Sequence, residues 1–247
     1  MKVAPAFPGM PGEDLRNASR RSSVEARGLT LQYPDGTEAI HAVDLSIGNG
    51  ELAFMTGPSG SGKTSLLQMM LGMYRPTGGS LTVLGHDMST LRDGGLRRLR
   101  QQAGPVFQDF RLTAGRHALE NVMAGMRFLT PHPVNCRRDA LAALERVGLA
   151  GKAFTPVEHL SWGERQRVSI ARAVARKPRL ILADEPTGNL DRDNALRILA
   201  LLASFRDRDT TVVITTHATH LIDDFGADVL LHIDGGRVAM ERKGGAV

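Results

Sequence analysis

The chain has 247 residues, 42% hydrophobic and 23% charged, with a formal net charge of +5. That is enough apolar material for one large core or a core with a subdomain. No run of about 18 uncharged apolar residues occurs, which excludes a membrane-spanning helix. The single cysteine, Cys136, excludes an intrachain disulfide and suits a reducing cytosol, and the first residues lack the apolar core of a secretory signal. The basic excess is mostly arginine and is scattered rather than striped, so no specific nucleic-acid partner is expected. Its densest group, Arg97, Arg98 and Arg100, fits a solvated helix face or contact with anionic lipid headgroups.

Residues 1–24 mix Pro, Gly, Ser and Arg without apolar periodicity and are expected to form a flexible extension. Alternation over Leu29–Tyr33, a Pro34-Asp35-Gly36 turn and Ala39–Leu45 predict an antiparallel pair. Glu51–Thr56 then reads as a short buried strand, and Ser65–Leu71 as a helix with an apolar face. Between them lies Gly57-Pro58-Ser59-Gly60-Ser61-Gly62-Lys63-Thr64, a glycine-rich loop of the phosphate-binding pattern in the strand-to-helix context which that pattern needs. The glycines let backbone N–H groups turn inward at the helix's positive end. Lys63 is placed to reach the β- and γ-phosphates and the Thr64 hydroxyl to ligate Mg²⁺. The chain is therefore expected to bind ATP or GTP.

Ser80–Gly85 is another short strand, and from about 90 to 160 the pattern turns helical. The best helical segments there are Ala118–Phe128 and Arg137–Val147, parted by Thr130-Pro131-His132-Pro133. Ser161 and Glu164 have the spacing of a capping box, and Val168, Ala171, Val174 and Ala175 continue at helical spacing. Leu180–Ala183 is a buried strand ending in Asp184 and Glu185. Asp184 is placed to hold magnesium and Glu185 to polarise an attacking water. Val212–Thr216, a further apolar strand, delivers His217. Strands and helices alternating after Leu180 predict a parallel sheet covered on both faces.

Leu160-Ser161-Trp162-Gly163-Glu164 resembles the signature of the ATP-binding-cassette (ABC) family, Leu-Ser-Gly-Gly-Gln/Glu at a helix N-terminus. Four further segments resemble the same family: Gln108 its Q-loop glutamine, Gly188-Asn189-Leu190-Asp191 its D-loop, and His217 its switch histidine. The fourth is Tyr33, 24 residues before Gly57, which matches the aromatic that stacks on adenine. The resemblance implies an α/β P-loop NTPase of the ABC type, with a parallel core sheet, an antiparallel β portion and an inserted helical subdomain. It implies a cassette over residues 25–240, a helical subdomain over about 91–160 that includes the Q-loop, and a short tail over 241–247.

ATP and Mg²⁺ are the implied ligands. Gly57–Ser65 and Tyr33 would bind nucleotide, and Gln108 would sense Mg²⁺ and water beside Thr64 and Asp184. Glu185, His217 and Lys63 would carry hydrolysis. Ser161, Gly163, Glu164 and Asp191 would act across a homodimer, each nucleotide being sandwiched between one chain's P-loop and the other's signature. Two residues depart from the pattern: Trp162 replaces a glycine, and Arg165 stands where glutamine is usual.

Within the family, Phe54–Gly57, Phe107–Leu112 and Ala183–Asp191 resemble the cell-division branch, the FtsE-type ATPases, whose integral membrane partner is of the FtsX type. The last segment is shared with lipoprotein-release and macrolide-export ATPases, which stand as the alternative, with a permease as partner. The surface from Phe107 to Asn121, including Phe110, Arg111 and Leu112, is the expected docking site. It would hold the chain peripherally at the cytoplasmic face of the membrane.

Overall fold

A computed structural model of the protein describes residues 22–126, 133–188, 190–222 and 225–243. Strand β1 (Ser22–Gln32) pairs antiparallel with β2 (Glu38–Gly48) through a turn in which the Thr37 N–H donates to the Asp35 carboxylate at 2.9 Å. After β3 (Leu52–Thr56) and helix α1 (Lys63–Met70), β4 (Gly78–Val83) and the two-residue β5 (His86–Asp87) extend β1's other edge. The result is a sheet ordered β2-β1-β4-β5.

The second sheet is built from residues far apart in the chain. Helix α2 (Asp93–Gln102) leads into β6 (Ala103–Val106), and α3 (Ala118–Ala124), α4 (Pro133–Arg146) and α5 (Trp162–Val174) follow. Then come β7 (Leu180–Ala183), α6 (Arg192–Ala203), β8 (Thr211–Thr216), β9 (Val229–Asp234) and β10 (Arg237–Arg242). The order is β10-β9-β3-β8-β7-β6, parallel throughout except for the antiparallel edge strand β10.

Burial on both faces explains the near-continuous apolar runs of β3, β7 and β8. Successive side chains point to opposite sides, so Leu52 and Phe54 join one core with α3 to α6, while Ala53 and Met55 join another with α1 and the antiparallel sheet. The expected fold class is thus the observed one.

Some boundaries differ from expectation. Strand β1 takes in Ser22–Val24, which the extension was expected to include. Val24 is fully buried, and the Ser23 hydroxyl donates to Asn49 Oδ1 at 2.7 Å; residues 1–21 lie outside the described residues. Helix α3 stops at Ala124, before the expected Phe128, with Gly125 as its C-cap. Phe128 and the Thr130-Pro131-His132 separator fall outside the described residues. The stretch 91–160 is interrupted by β6, which pairs with β7 in the parallel sheet. At the C-terminus β10 runs through Arg242, whose guanidinium holds the buried Glu51 at 2.8 Å; residues 244–247 are not described.

Candidate nucleotide site

Parallel pairing brings the chemically distinctive residues into one row. In register, Thr56 faces Thr216, Ile214 faces Ala183, and Ala183 faces Val106. The chain therefore leaves the carboxyl ends of β3, β8, β7 and β6 at neighbouring points about 5 Å apart, carrying Gly57, His217, Asp184 and Phe107-Gln108. In an open α/β sheet this edge is where ligands bind.

The loop after β3 is shaped by two glycines that nothing else can replace. Gly57 has φ +146° and a Cβ there would lie 1.9 Å from the Ile233 carbonyl oxygen. Gly62, the N-cap of α1, has φ +109° and a Cβ would lie 2.7 Å from the Ala39 carbonyl oxygen. The turn between β9 and β10 buttresses the loop, since the Gly236 N–H donates to the Ser61 carbonyl at 3.0 Å. Pro58, Ser59 and Gly60 complete the exposed rim, with Gly60 also at positive φ. Lys63 is 3% exposed and its ammonium donates to the Gly57 and Pro58 carbonyls at 2.8 Å each. The Ser61 hydroxyl oxygen is buried with no hydrogen-bond partner among the described residues. A buried cation, an orphaned hydroxyl and a helix N-terminus that open on one concave loop fit a polyphosphate.

The carboxylates lie directly against this loop. Asp184 is buried and its Oδ1 accepts from Thr64 Oγ1 at 3.1 Å and from Thr215 Oγ1 at 2.9 Å. Burial pushes its carboxyl above the ordinary value, against the pull of those two hydrogen bonds. A desolvated carboxylate beside a threonine hydroxyl is a hard oxygen donor pair, so these residues fit Mg²⁺. Glu185 adopts φ +41°, a strained conformation for a non-glycine residue, and Thr215 Oγ1 steadies it by accepting the Glu185 N–H at 2.8 Å. Its two oxygens span the site: Oε1 is 3.6 Å from Lys63 Nζ, and Oε2 is 3.4 Å from Nδ1 of the half-exposed His217. The arrangement can hold a water between a carboxylate, an imidazole and a phosphate.

Thr215 was not singled out in the sequence, because a threonine inside an apolar strand carries no local signal. Its hydroxyl donates to the Asp184 carboxylate and at the same time accepts the Glu185 backbone N–H. Thr215→Val is expected to cost about 1–3 kcal/mol of stability and to lower turnover about tenfold, while Thr215→Ser retains most of both. Thermal melts and Mg²⁺-dependent ATPase assays check this, and a Val variant with wild-type turnover would contradict it.

At the other end of the loop, the Tyr33 hydroxyl and Ser65 Oγ are 2.8 Å apart, which fixes the ring beside α1. Tyr74, also unnoticed in the sequence, meets Tyr33 edge-on at a centroid distance of 5.2 Å and is 39% exposed. The pair forms an aromatic corner against which a base can stack. Tyr33→Ala is expected to raise the KM for ATP about fivefold, a stacking contribution near 1 kcal/mol, with kcat held. Tyr33→Phe separates the ring from its hydroxyl, and steady-state kinetics measures both.

The remaining expected residues lie apart from the P-loop. Gln108 is exposed, with its amide nitrogen 3.9 Å from where a Cβ on Gly188 would stand. Among the described residues it makes no hydrogen bond to Thr64 or Asp184. Ser161 caps α5: its hydroxyl accepts the Glu164 N–H at 3.3 Å, and Glu164 Oε2 accepts the Ser161 N–H at 2.9 Å. Lys152 pairs with Glu164 Oε1, and the Lys152 ammonium with the Ser161 N–H holds the Glu164 carboxyl below its ordinary value. A Cβ added at Gly163 would stand 3.9 Å from Leu190 Cδ2, an ordinary contact distance. Arg165, the second departure from the signature, donates to the carbonyls of Leu160 at 3.0 Å and Glu158 at 3.1 Å. Asp191 caps α6 by accepting the Asn194 N–H at 2.9 Å; Asn189 is outside the described residues. Among the described residues, none of Ser161, Gly163, Glu164 or Asp191 bonds to this chain's own P-loop.

Known proteins are similar to this chain in sequence and fold. The ABC transporter family profile matches residues 40–188. The cell division ATP-binding protein FtsE of Streptococcus pneumoniae is 34% identical over 224 residues, 91% of this chain and 97% of that protein. FtsE of Escherichia coli K12 is 40% identical over 207 residues, 84% of this chain and 93% of its own length. Among solved structures, the dimeric post-hydrolysis state of the ATP-binding cassette MJ0796 bound to ADP and Pi superposes with a TM-score of 0.81. It is 33% identical and covers 90% of this chain and all of that one. The likeness to these proteins thus runs over 84–91% of the chain. The chain belongs to the ABC transporter family, as one of its ATP-binding and ATP-hydrolysing cassettes.

Proposed function

We propose that the chain is the ATPase subunit of an FtsE-type membrane complex in bacterial cell division. In this reading two copies close on ATP and pass that closure to an integral membrane subunit of the FtsX type. The observation that supports it most is the extent of the FtsE likeness, which runs over 84–91% of the chain.

The chemistry follows from the site. The P-loop, Gly57 to Thr64 with Ser65, binds the phosphates and Tyr33 the base. Thr64 and Asp184 would hold Mg²⁺, with Gln108 completing its surroundings; the ion would supply charge neutralisation on the phosphates. Glu185 takes a proton from, or orients, the attacking water, and His217 steadies both that carboxylate and the γ-phosphate. Lys63 offsets the charge that develops in the transition state.

Ser161, Gly163, Glu164 and Asp191 are free of their own P-loop, which suits a role on the partner copy's nucleotide. ATP then bridges two chains, and its hydrolysis removes the bridge. No helix among the described residues is long and apolar enough to cross a membrane. In this reading the coupling goes through the surface from Phe107 to Asn121, with the chain held peripherally at the cytoplasmic face.

The test is a pull-down of the Glu185→Gln variant from detergent-solubilised native membranes with ATP. Recovery of a four-helix membrane protein with a small extracytoplasmic domain is the expected result. A larger permease, or one with a periplasmic adaptor, would move the chain to the lipoprotein-release or export branch.

A further inference from the structure

Trp162 stands at the first glycine of the family signature, and its surroundings give the ring a task. It meets Phe110 edge-to-face, with ring centroids 4.6 Å apart and planes at 68°. Phe110 and the next residue, Arg111, are both non-glycine residues at positive φ, +55° and +49°. Two consecutive left-handed residues persist only where neighbours over-determine them.

Those neighbours come from the helix that Trp162 begins. The Arg172 guanidinium donates to the carbonyls of Phe110 and Arg111, and the Ser169 hydroxyl donates to the Phe110 carbonyl at 3.4 Å. Burial pushes Arg172 down to about 10, which leaves it charged at neutral pH. Within the loop, the Arg111 guanidinium lies 3.9 Å over the Phe107 ring, so the turn is closed on both sides of Gln108. Arg172 and Ser169 grip the backbone of the turn, while the Trp162 ring meets the Phe110 side chain from the N-terminal end of α5.

We propose that Trp162 is a positioning residue for ATP hydrolysis, its ring locking the Phe110–Arg111 turn and thereby the placement of Gln108. This inference rests on the nucleotide-sandwich reading above. In that sandwich the signature faces the partner copy's nucleotide while Gln108 serves the chain's own. The Trp162–Phe110 contact therefore joins the two sites through a single pair of rings.

The experiment is a double-mutant cycle on the full chain, with Trp162→Gly, Phe110→Ala and the double variant, and Trp162→Phe as rescue. Each single change is expected to lower kcat about tenfold with KM moved less than about twofold, and the double variant to be no slower than either single. Trp162→Phe keeps a ring and should recover at least about half of the rate. Trp162 is the only tryptophan in the sequence, so its fluorescence reports this contact directly. Phe110→Ala should red-shift its emission, and ATP added to Glu185→Gln should change it.

Multiplicative losses in the cycle, or a Trp162→Gly variant at wild-type kcat, would overturn the inference. Gel filtration of Glu185→Gln with ATP tells two failures apart. If it dimerises while the cycle is multiplicative, only the role of Trp162 falls; if it stays monomeric, the sandwich falls and the inference with it.

Discussion

Glu185→Gln is expected to bind ATP, to dimerise on it and to turn it over about 10²–10⁴ times more slowly than the wild type, the range for loss of a positioned base. The amide keeps the shape of the carboxylate, so the P-loop is left as it is. What changes is basicity at a point held from three sides. Glu185 lies 3.6 Å from Lys63 and 3.4 Å from His217, and its own N–H is bonded to Thr215. The substitution also removes a negative charge that pushes the neighbouring Asp184 carboxyl upward, so Asp184 becomes easier to ionise. Metal and nucleotide binding should accordingly hold or tighten while chemistry stops. Equilibrium binding of a fluorescent ATP analogue, gel filtration and phosphate release measure the three properties separately. Turnover within a few-fold of wild type would take Glu185 out of its role.

What could be read along the chain and what could not divides by distance in sequence. The P-loop, the carboxylates that end β7 and the histidine after β8 are local patterns, each an apolar run ending in a reactive residue, so the strand and its cargo were legible together. The capping box of Ser161 and Glu164 is equally local, and so is the Asp191 cap on α6, although the sequence suggested for Asp191 only a place at a dimer interface. Contacts made by folding were invisible. Thr215 matters because β8 lies beside β7, and Tyr74 because the loop after α1 returns to Tyr33. Arg172 matters because α5 packs against the turn at Phe110, about 60 residues earlier. Strand β6 was missed for a related reason: Ala103–Val106 is too short to show alternation, and only pairing with β7 makes it a strand. Gln108 was legible as a motif residue and expected beside Thr64 and Asp184; in the structure it is exposed and, among the described residues, bonds to neither, because its placement depends on the loop it sits in rather than on its spacing.

Lys63→Ala is expected to fail one step earlier, at nucleotide binding itself. The ammonium is buried within a loop whose carbonyls at Gly57 and Pro58 accept from it at 2.8 Å, and in the proposed site it would reach the phosphates that the loop surrounds. A charge-assisted hydrogen bond of this kind is worth about 1.5–3 kcal/mol, and two of them to one polyphosphate imply a loss of affinity of at least about 100-fold. Stability should fall by less, about 1–3 kcal/mol, because only the buried Gly57 carbonyl loses its partner outright, while water can reach the exposed Pro58. Lys63→Arg should not rescue binding: a planar fork cannot occupy a cradle shaped around a compact point charge. Calorimetric titration with ATP and Mg²⁺, set beside a thermal melt, distinguishes lost recognition from lost folding. Affinity within about fivefold of wild type would mean that the backbone N–H groups and the helix end hold the phosphates without the lysine. With Glu185→Gln retaining nucleotide and Lys63→Ala losing it, the two variants would separate binding from hydrolysis at residues whose side chains lie 3.6 Å apart.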